Sequence, residues 1–302
     1  MYELKRTHAR AVFKQLLGQA NHFLITILVG LNGVRDGRVT VDEEFRTSWN
    51  PVSAKISAER SRFFALDLAL VRAIDSLDTF MMLSNRRPLA IFDDGFRRAM
   101  DGTGRSVARR LDVFQANLAP LPDYEVVFLK FAIEWRNARV HSLAEDPFTN
   151  TERDLLLMHA GALNAKHSGL DIAESLKRFE QRDLPHFKDA ASIIRAVQDA
   201  VKHYDSELLK AMNLEVYVRR LLAEMLHGTH GDKRRNLQHS CEKIWGEIKK
   251  REQKAIRMLR MVGVDMPSGK QKGYSVPDDF VEKIKTMTCA EAVSYFSQAQ
   301  TD

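Results

Sequence analysis

One stretch of the chain concentrates residue types that can hold an anion and move a proton. It reads FLKFAIEWRNARVHSLAED from Phe128 to Asp146. Phe128, Leu129, Phe131, Ile133 and Trp135 make its first half apolar at helical spacing, after which Glu134, Arg136, Asn137, Arg139 and His141 turn it polar. Polar groups at the end of such a helix lie at a surface or face a cleft. Asn137 and His141 are four residues apart and share a helix face. Arg136 and His141 are five apart, about 140° around an ideal helix. They converge only if the helix ends or bends, or if each meets its copy across a two-fold axis. Trp135 reads as core rather than as a platform for a base. Glu134 reads as the partner of Lys130, one turn back.

The order Arg136, Asn137, three residues, His141 resembles the motif of the HEPN family, a group of small helical bundles. Its ribonuclease members carry Arg, four to six residues, then His, with Asn very often directly after the Arg. Many toxin members add a Tyr two residues after the His; this chain has Leu143 there. The resemblance covers about 20 residues. The same Arg–His spacing recurs at Arg234–His239, and a wider one at Arg220–His227, neither with Asn after its Arg. The resemblance implies an all-α bundle and metal-independent RNA cleavage, with no cofactor, at a cleft shared by a homodimer. The products would be 2′,3′-cyclic phosphate and 5′-hydroxyl ends. On that reading His141 moves a proton to or from the ribose 2′-hydroxyl or the leaving oxygen, for which an ordinary imidazole pKa suits. Arg136 holds the scissile phosphate through its bidentate fork. Asn137 orients the phosphate or the His, and Arg139 adds a phosphate contact. Family members often serve as toxins or antiviral defence effectors, which implies an antitoxin or regulatory protein as a further partner. The alternative within the family is a non-catalytic module that binds RNA or protein.

A rival basic site lies at Lys233, Arg234 and Arg235, in HGTHGDKRRNLQHSC from His227 to Cys241. Those three cations read as RNA phosphate contacts. The His227, His230, Asp232, His239 and Cys241 around them match no established zinc spacing. Asp67, Asp75 and Asp78 lie in or beside an apolar helical stripe, and read as edge carboxylates pairing with neighbours such as Arg72 rather than as acid–base catalysts. A Gly-rich phosphate loop is missing, as is a Ser or Cys nucleophile with a recognisable partner.

The elements that must position these groups are helices almost throughout. Phe187, Ala190, Ile194, Val197, Val201, Tyr204, Leu208 and Ala211 step by three and four, as do Phe63, Leu66, Leu70, Ile74, Leu77 and Met81. The pattern predicts helices near 2–31, 52–85, 105–116, 123–142, 151–168, 171–182, 187–227 and 232–262, an irregular 36–51, and no convincing strand. Thr149 and Glu152 form a capping-box pair, Asp123 reads as a cap after Pro120 and Pro122, and Gly169 and Gly228 read as breaks. Gly263 to Pro277 reads as a linker before a short final helix. Residues 1–182 are expected to form the HEPN-like bundle and 183–302 a helical extension.

The net charge is +6, and the excess is local: residues 233–285 hold 14 Lys or Arg against 7 Asp or Glu. A polyanion is a natural partner for that segment. Two cysteines, Cys241 and Cys289, in 302 residues fit a reducing cytoplasm. The apolar run Phe23–Leu31 is too short to span a bilayer, which needs about 20 residues, and is expected to be a buried helix segment.

Overall fold

The computed structural model describes residues 1–39, 44, 52–140, 148–228, 233–267 and 273–298, with the side chains of Lys233 and Arg234 left out. Strand β1 (Tyr2–Leu4) is followed by helices α1 (His8–Leu17), α2 (Ala20–Arg35), α3 (Ala54–Ser84), α4 (Asp94–Asp101), α5 (Val107–Asn117), α6 (Asp123–Val140), α7 (Asn150–Met158), α8 (Ala160–Lys166), α9 (Ile172–Glu180), α10 (Phe187–Ala211), α11 (Leu214–His227), α12 (Lys233–Trp245) and α13 (Arg251–Met261). Strands β2 (Val264–Asp265) and β3 (Tyr274–Val276) then precede α14 (Asp278–Thr286) and α15 (Cys289–Gln298). The all-α expectation holds for the bulk of the chain.

The long helix α3 organises the bundle, packing against α1, α2, α5, α6 and α10. Its stripe is buried from Leu66 through Leu70, Ile74, Leu77 and Met81, as the periodicity requires, whereas Phe63, expected to begin it, is exposed. The stripe on α10 is buried likewise through Ala190, Ile194, Val197, Val201, Tyr204 and Leu208. One continuous set of buried apolar side chains runs from Leu4 near the N-terminus to Phe296 in α15.

Several long helices expected from the sequence are interrupted. Residues 2–31 contain β1 and a break at Gly18. Residues 187–227 divide at Asn213, whose side-chain Oδ1 accepts from the Val216 amide at 3.1 Å and starts α11. No proline was needed to end α10: a good cap after Met212 suffices. Residues 151–168 divide at His159, and 232–262 divide after Trp245. Asp123 sits in the first turn of α6, where its charge suits the helix dipole, rather than at the cap. The Thr149–Glu152 capping box forms in both directions, Thr149 N–H to Glu152 Oε2 at 2.9 Å and Glu152 N–H to Thr149 Oγ1 at 3.2 Å. Gly228 takes φ +67° at the end of α11, a conformation that favours glycine.

Two expectations are corrected outright. Gly263–Pro277 contains strands: β1 pairs antiparallel with β2 (Leu4 opposite Val264) and with β3 (Leu4 opposite Tyr274), in the order β2-β1-β3. Leu4, Val264 and Val276 are fully buried, so the N-terminal strand is clamped between two pieces of the C-terminal segment. Strands of two and three residues carry no alternation long enough to read.

The second correction concerns Phe23–Leu31. Leu24 and Leu28 are buried, but Phe23, Ile25, Ile27 and Val29 are exposed. Among the described residues His8–Arg35 is the one helical stretch long and apolar enough to cross a membrane, by length and composition. Gly18 interrupts it, and its uncharged portion, Ala20 to Val34, extends about 22 Å against a hydrocarbon core of about 30 Å.

Candidate functional site

Helix α6 delivers the motif. Val126, Phe128, Leu129, Phe131, Ala132, Ile133 and Trp135 bury its first four turns. Trp135 is core, as expected: its ring packs on Phe131 and Phe179, and its indole N–H donates to the Asp183 carbonyl at 3.4 Å. With the apolar face spent, the last turn carries Arg136, Asn137 and Arg139 out to the edge of α3.

There the arginines meet the α3 carboxylates. Arg139 is bidentate on Asp67, Nε to Oδ1 at 3.0 Å and Nη2 to Oδ2 at 3.2 Å. Arg136 Nη2 pairs with Asp75 Oδ1, while its Nη1 donates to Asn137 Oδ1 at 3.0 Å. Asn137 Nδ2 in turn donates to Glu134 Oε2 at 3.4 Å. Asp78, one turn beyond Asp75, pairs with Arg110 of α5. The three edge carboxylates thus act as ion-pair partners, as expected, but for arginines of α5 and α6. Arg72 instead donates from Nε to the Leu16 carbonyl at 3.3 Å. Lys130 reaches Asp112 of α5 at 2.7 Å, which corrects the pairing expected with Glu134.

Exposure separates these pairs. The Arg110 side chain is 9% exposed, Arg136 is 17% and its partner Asp75 49%. Arg136 is therefore a mostly covered guanidinium whose counter-ion is half in water. Its Nε is buried and has no hydrogen-bond partner. A half-exposed ion pair is worth little to stability and is open to exchange, and an unsatisfied buried donor favours any acceptor that reaches it.

His141 lies outside the described residues, so its position relative to Arg136 is not part of this geometry. Arg136 and Asn137, predicted together, are brought together in one hydrogen-bonded unit, with Arg139 one turn away on the same α3 edge. Lys233, Arg234 and Arg235 are in the first turn of α12, and Arg235 is exposed. That turn contains no acidic residue. The main packing partners of α12 are α11, α13 and α15, whereas those of α6 are α3, α5, α7 and α10. The two basic clusters belong to different parts of the molecule.

In the His-rich stretch, His227 is buried with Nε2 3.4 Å from the Phe296 carbonyl, and Cys241 is buried with its thiol pushed up to about 12 by desolvation. His230 and Asp232 lie outside the described residues. Among the described residues no three His, Cys, Asp or Glu side chains gather as a metal site would require.

The pairing of Asp67 with Arg139 and of Asp75 with Arg136 was not legible in advance, because an Arg and an Asp from separate helices carry no sequence signal of their meeting. Protein-family models, characterised proteins and solved structures give no match to this chain.

Proposed function

We propose that this protein is a metal-independent endoribonuclease of HEPN type, acting as a homodimer through Arg136, Asn137 and His141. The observation that carries the reading is the Arg136–Asn137 unit in the last turn of α6: a guanidinium oriented by the neighbouring amide, with an unused buried Nε–H and an exchangeable counter-ion, four residues in sequence before His141. An incoming phosphate replaces the Asp75 carboxylate, a swap of one oxyanion for another on the same fork. Arg139 offers a second guanidinium on the same edge. His141 supplies proton transfer at the 2′-hydroxyl or the leaving oxygen. Lys233, Arg234 and Arg235 hold more of the RNA backbone by counterion release. In a cell the activity is that of a toxin or antiviral effector in the cytoplasm, held in check by an antitoxin or regulatory protein.

A second reading has its own observation. Both arginines are committed to α3 carboxylates, and the Arg139–Asp67 pair is bidentate, so the motif also clips α6 to α3. On that reading the chain is a non-catalytic RNA- or protein-binding module of the same build.

Incubation of wild type, His141→Ala and Arg136→Ala with total RNA in EDTA, with end-group analysis, separates the two. The ribonuclease reading expects 2′,3′-cyclic phosphate ends from wild type and a loss of at least about 100-fold in either variant. Intact RNA across structured and single-stranded substrates would leave the binding module.

A further inference from the structure

Arg220 opens the wider Arg–His pair of the sequence, and the α6 site leaves it unused. His227 lies about 10 Å further along α11 and is buried near the Phe296 carbonyl, so the two do not form one site. Arg220 instead lines a cavity of about 270 Å³ together with Asn85, Arg87, Arg97 and Glu224. Three elements bring three guanidiniums to it. The turn after α3 supplies Arg87, α4 supplies Arg97 and α11 supplies Arg220. The turn is folded back on α3 because the amides of Ala90 and Ile91 both donate to the Ser84 carbonyl, each at 3.1 Å. Arg220 lies over the Phe92 ring, its Cζ 4.8 Å from the ring centroid, which fixes the plane of the fork. Arg97 donates to Asp94 at 3.3 Å, an ion pair with an 80% exposed carboxylate that competes weakly with a ligand. Arg87 has no ion-pair partner among the described residues. One acceptor in the wall is also unused. Asn85 Nδ2 donates to Asp101 Oδ1 at 2.8 Å and to the Arg97 carbonyl at 3.5 Å. Both partners are acceptors, so these bonds fix which way round the amide sits. Its Oδ1 is buried and has no hydrogen-bond partner among the described residues.

We propose that this cavity binds a phosphomonoester dianion. Three arginines and one glutamate give its wall a formal charge of +2. That matches the nearly two negative charges such a group carries at neutral pH. A guanidinium presents a flat fork of N–H donors, and a terminal phosphoryl group offers three oxygens to forks that arrive from three directions. A carboxylate offers two oxygens and a single charge. A phosphodiester inside a nucleic-acid strand also carries a single charge, and both of its neighbouring nucleotides would have to pass the cavity walls. The volume is that of roughly nine waters at liquid density, room for a phosphoryl group and the sugar attached to it. Glu224, one turn from Arg220 on α11, and the unused Asn85 Oδ1 are acceptors for the hydroxyls of that sugar. The phosphoryl group comes from a free nucleotide or sugar phosphate, or from the 5′ end of an RNA. The site shares no residue with the α6 motif and stands whether or not α6 cleaves RNA.

Isothermal titration calorimetry of the full chain in phosphate-free buffer tests it, with AMP, adenosine, cyclic AMP and inorganic phosphate as titrants. AMP is expected to bind at least about 10-fold more tightly than adenosine, which lacks the phosphoryl group, or cyclic AMP, a diester of one charge. Inorganic phosphate is expected to compete with it. Arg87→Ala and Arg97→Ala should each weaken AMP about 10-fold while keeping the wild-type far-ultraviolet circular dichroism. Arg220→Lys keeps the charge, loses the fork, and should weaken it by a similar factor. Lys55→Ala, an exposed cation at the start of α3, should leave AMP unchanged. Should Arg97→Ala or Arg220→Lys lose its helical signal, Arg87→Ala decides, since Arg87 is exposed on a turn. Fluorescence anisotropy with one short RNA, carrying a 5′-phosphate or a 5′-hydroxyl, tells the sources apart; it is run in His141→Ala so that the RNA stays whole. A preference of at least about 10-fold for the 5′-phosphate, lost on Arg87→Ala, assigns the RNA end. Equal RNA affinities with AMP bound assign the free phosphomonoester. A wild type that favours neither AMP over adenosine nor the 5′-phosphorylated RNA over its hydroxyl form overturns the proposal. So does binding that Arg87→Ala leaves as strong as Lys55→Ala does.

Discussion

Two arginine–aspartate clusters in this molecule use the same chemistry to opposite ends. In the first, Asp205 of α10 is fully buried and accepts from the Thr7 amide at 3.1 Å, the Thr7 hydroxyl at 2.5 Å and Arg10 Nη1 at 3.1 Å. Burial pushes its carboxyl pKa up, against the pull of Thr7 and Arg10. Beside it the Tyr217 hydroxyl accepts from the His8 amide at 2.8 Å. This cluster fastens the N-terminal segment to α10 and α11. In the second, Asp67 and Asp75 face Arg139 and Arg136 with one edge in water. A dry pair cannot surrender a partner without leaving a buried charge uncompensated. A wet one can trade its carboxylate for a phosphate. The difference separates a buried anchor from a water-exposed edge, although both read as Arg plus Asp in the sequence.

The largest effect should come from the dry cluster. Asp205→Ala should destabilise the fold by about 3–5 kcal/mol, read as a fall in the urea midpoint, because it strands Arg10 and two Thr7 donors. Asp75→Ala should cost about 1 kcal/mol or less. Equal losses would erase the distinction between the clusters.

Acid stability sharpens it further. His167 is buried against Phe128, and desolvation lowers its pKa from 6.5 to about 4. The unfolded chain therefore takes up the proton first as pH falls. Stability is full above pH 6.5 and is lost as pH falls towards 4. His167→Gln should lower stability at pH 7 yet flatten the decline between pH 6.5 and 4 in a thermal-melt series. An unchanged slope would show that His167 is not the group responsible.

Salt gives the smallest effect. Raising NaCl from 0.05 to 0.5 M should leave the Asp205 contribution nearly unchanged and remove most of the Asp75 contribution, measured as the difference between each variant and wild type. The concentrations span roughly a threefold change in screening length.

Much of the helical build is legible in the sequence because burial repeats at 3.6 residues over long stretches of α3 and α10. The interruptions are not, since a cap such as Asn213 competes with helix continuation on local energies of about 1 kcal/mol. The sheet is hidden for a different reason: Leu4 meets Val264 and Tyr274 across the whole length of the chain, and three-residue strands have no period to read. The exposed half of α2 misleads because apolar content signals burial without saying in what. At the candidate site, the order of Arg136 and Asn137 and the apolar run before them are legible in the sequence. Their partner Asp75 is 61 residues away and became visible only once α3 and α6 crossed.

The claim that Arg136 exchanges Asp75 for RNA phosphate is tested most directly by the affinity of a single-stranded RNA oligonucleotide for wild type, Asp75→Asn, Arg136→Ala and the double variant. It is measured by fluorescence anisotropy across a salt series. The account predicts tighter binding for Asp75→Asn, weaker binding for Arg136→Ala by about 10-fold, and a salt slope reduced by about one in the latter. It also predicts that Asp75→Asn gives no gain once Arg136 is absent. Affinities and slopes that are the same in all four proteins would contradict it.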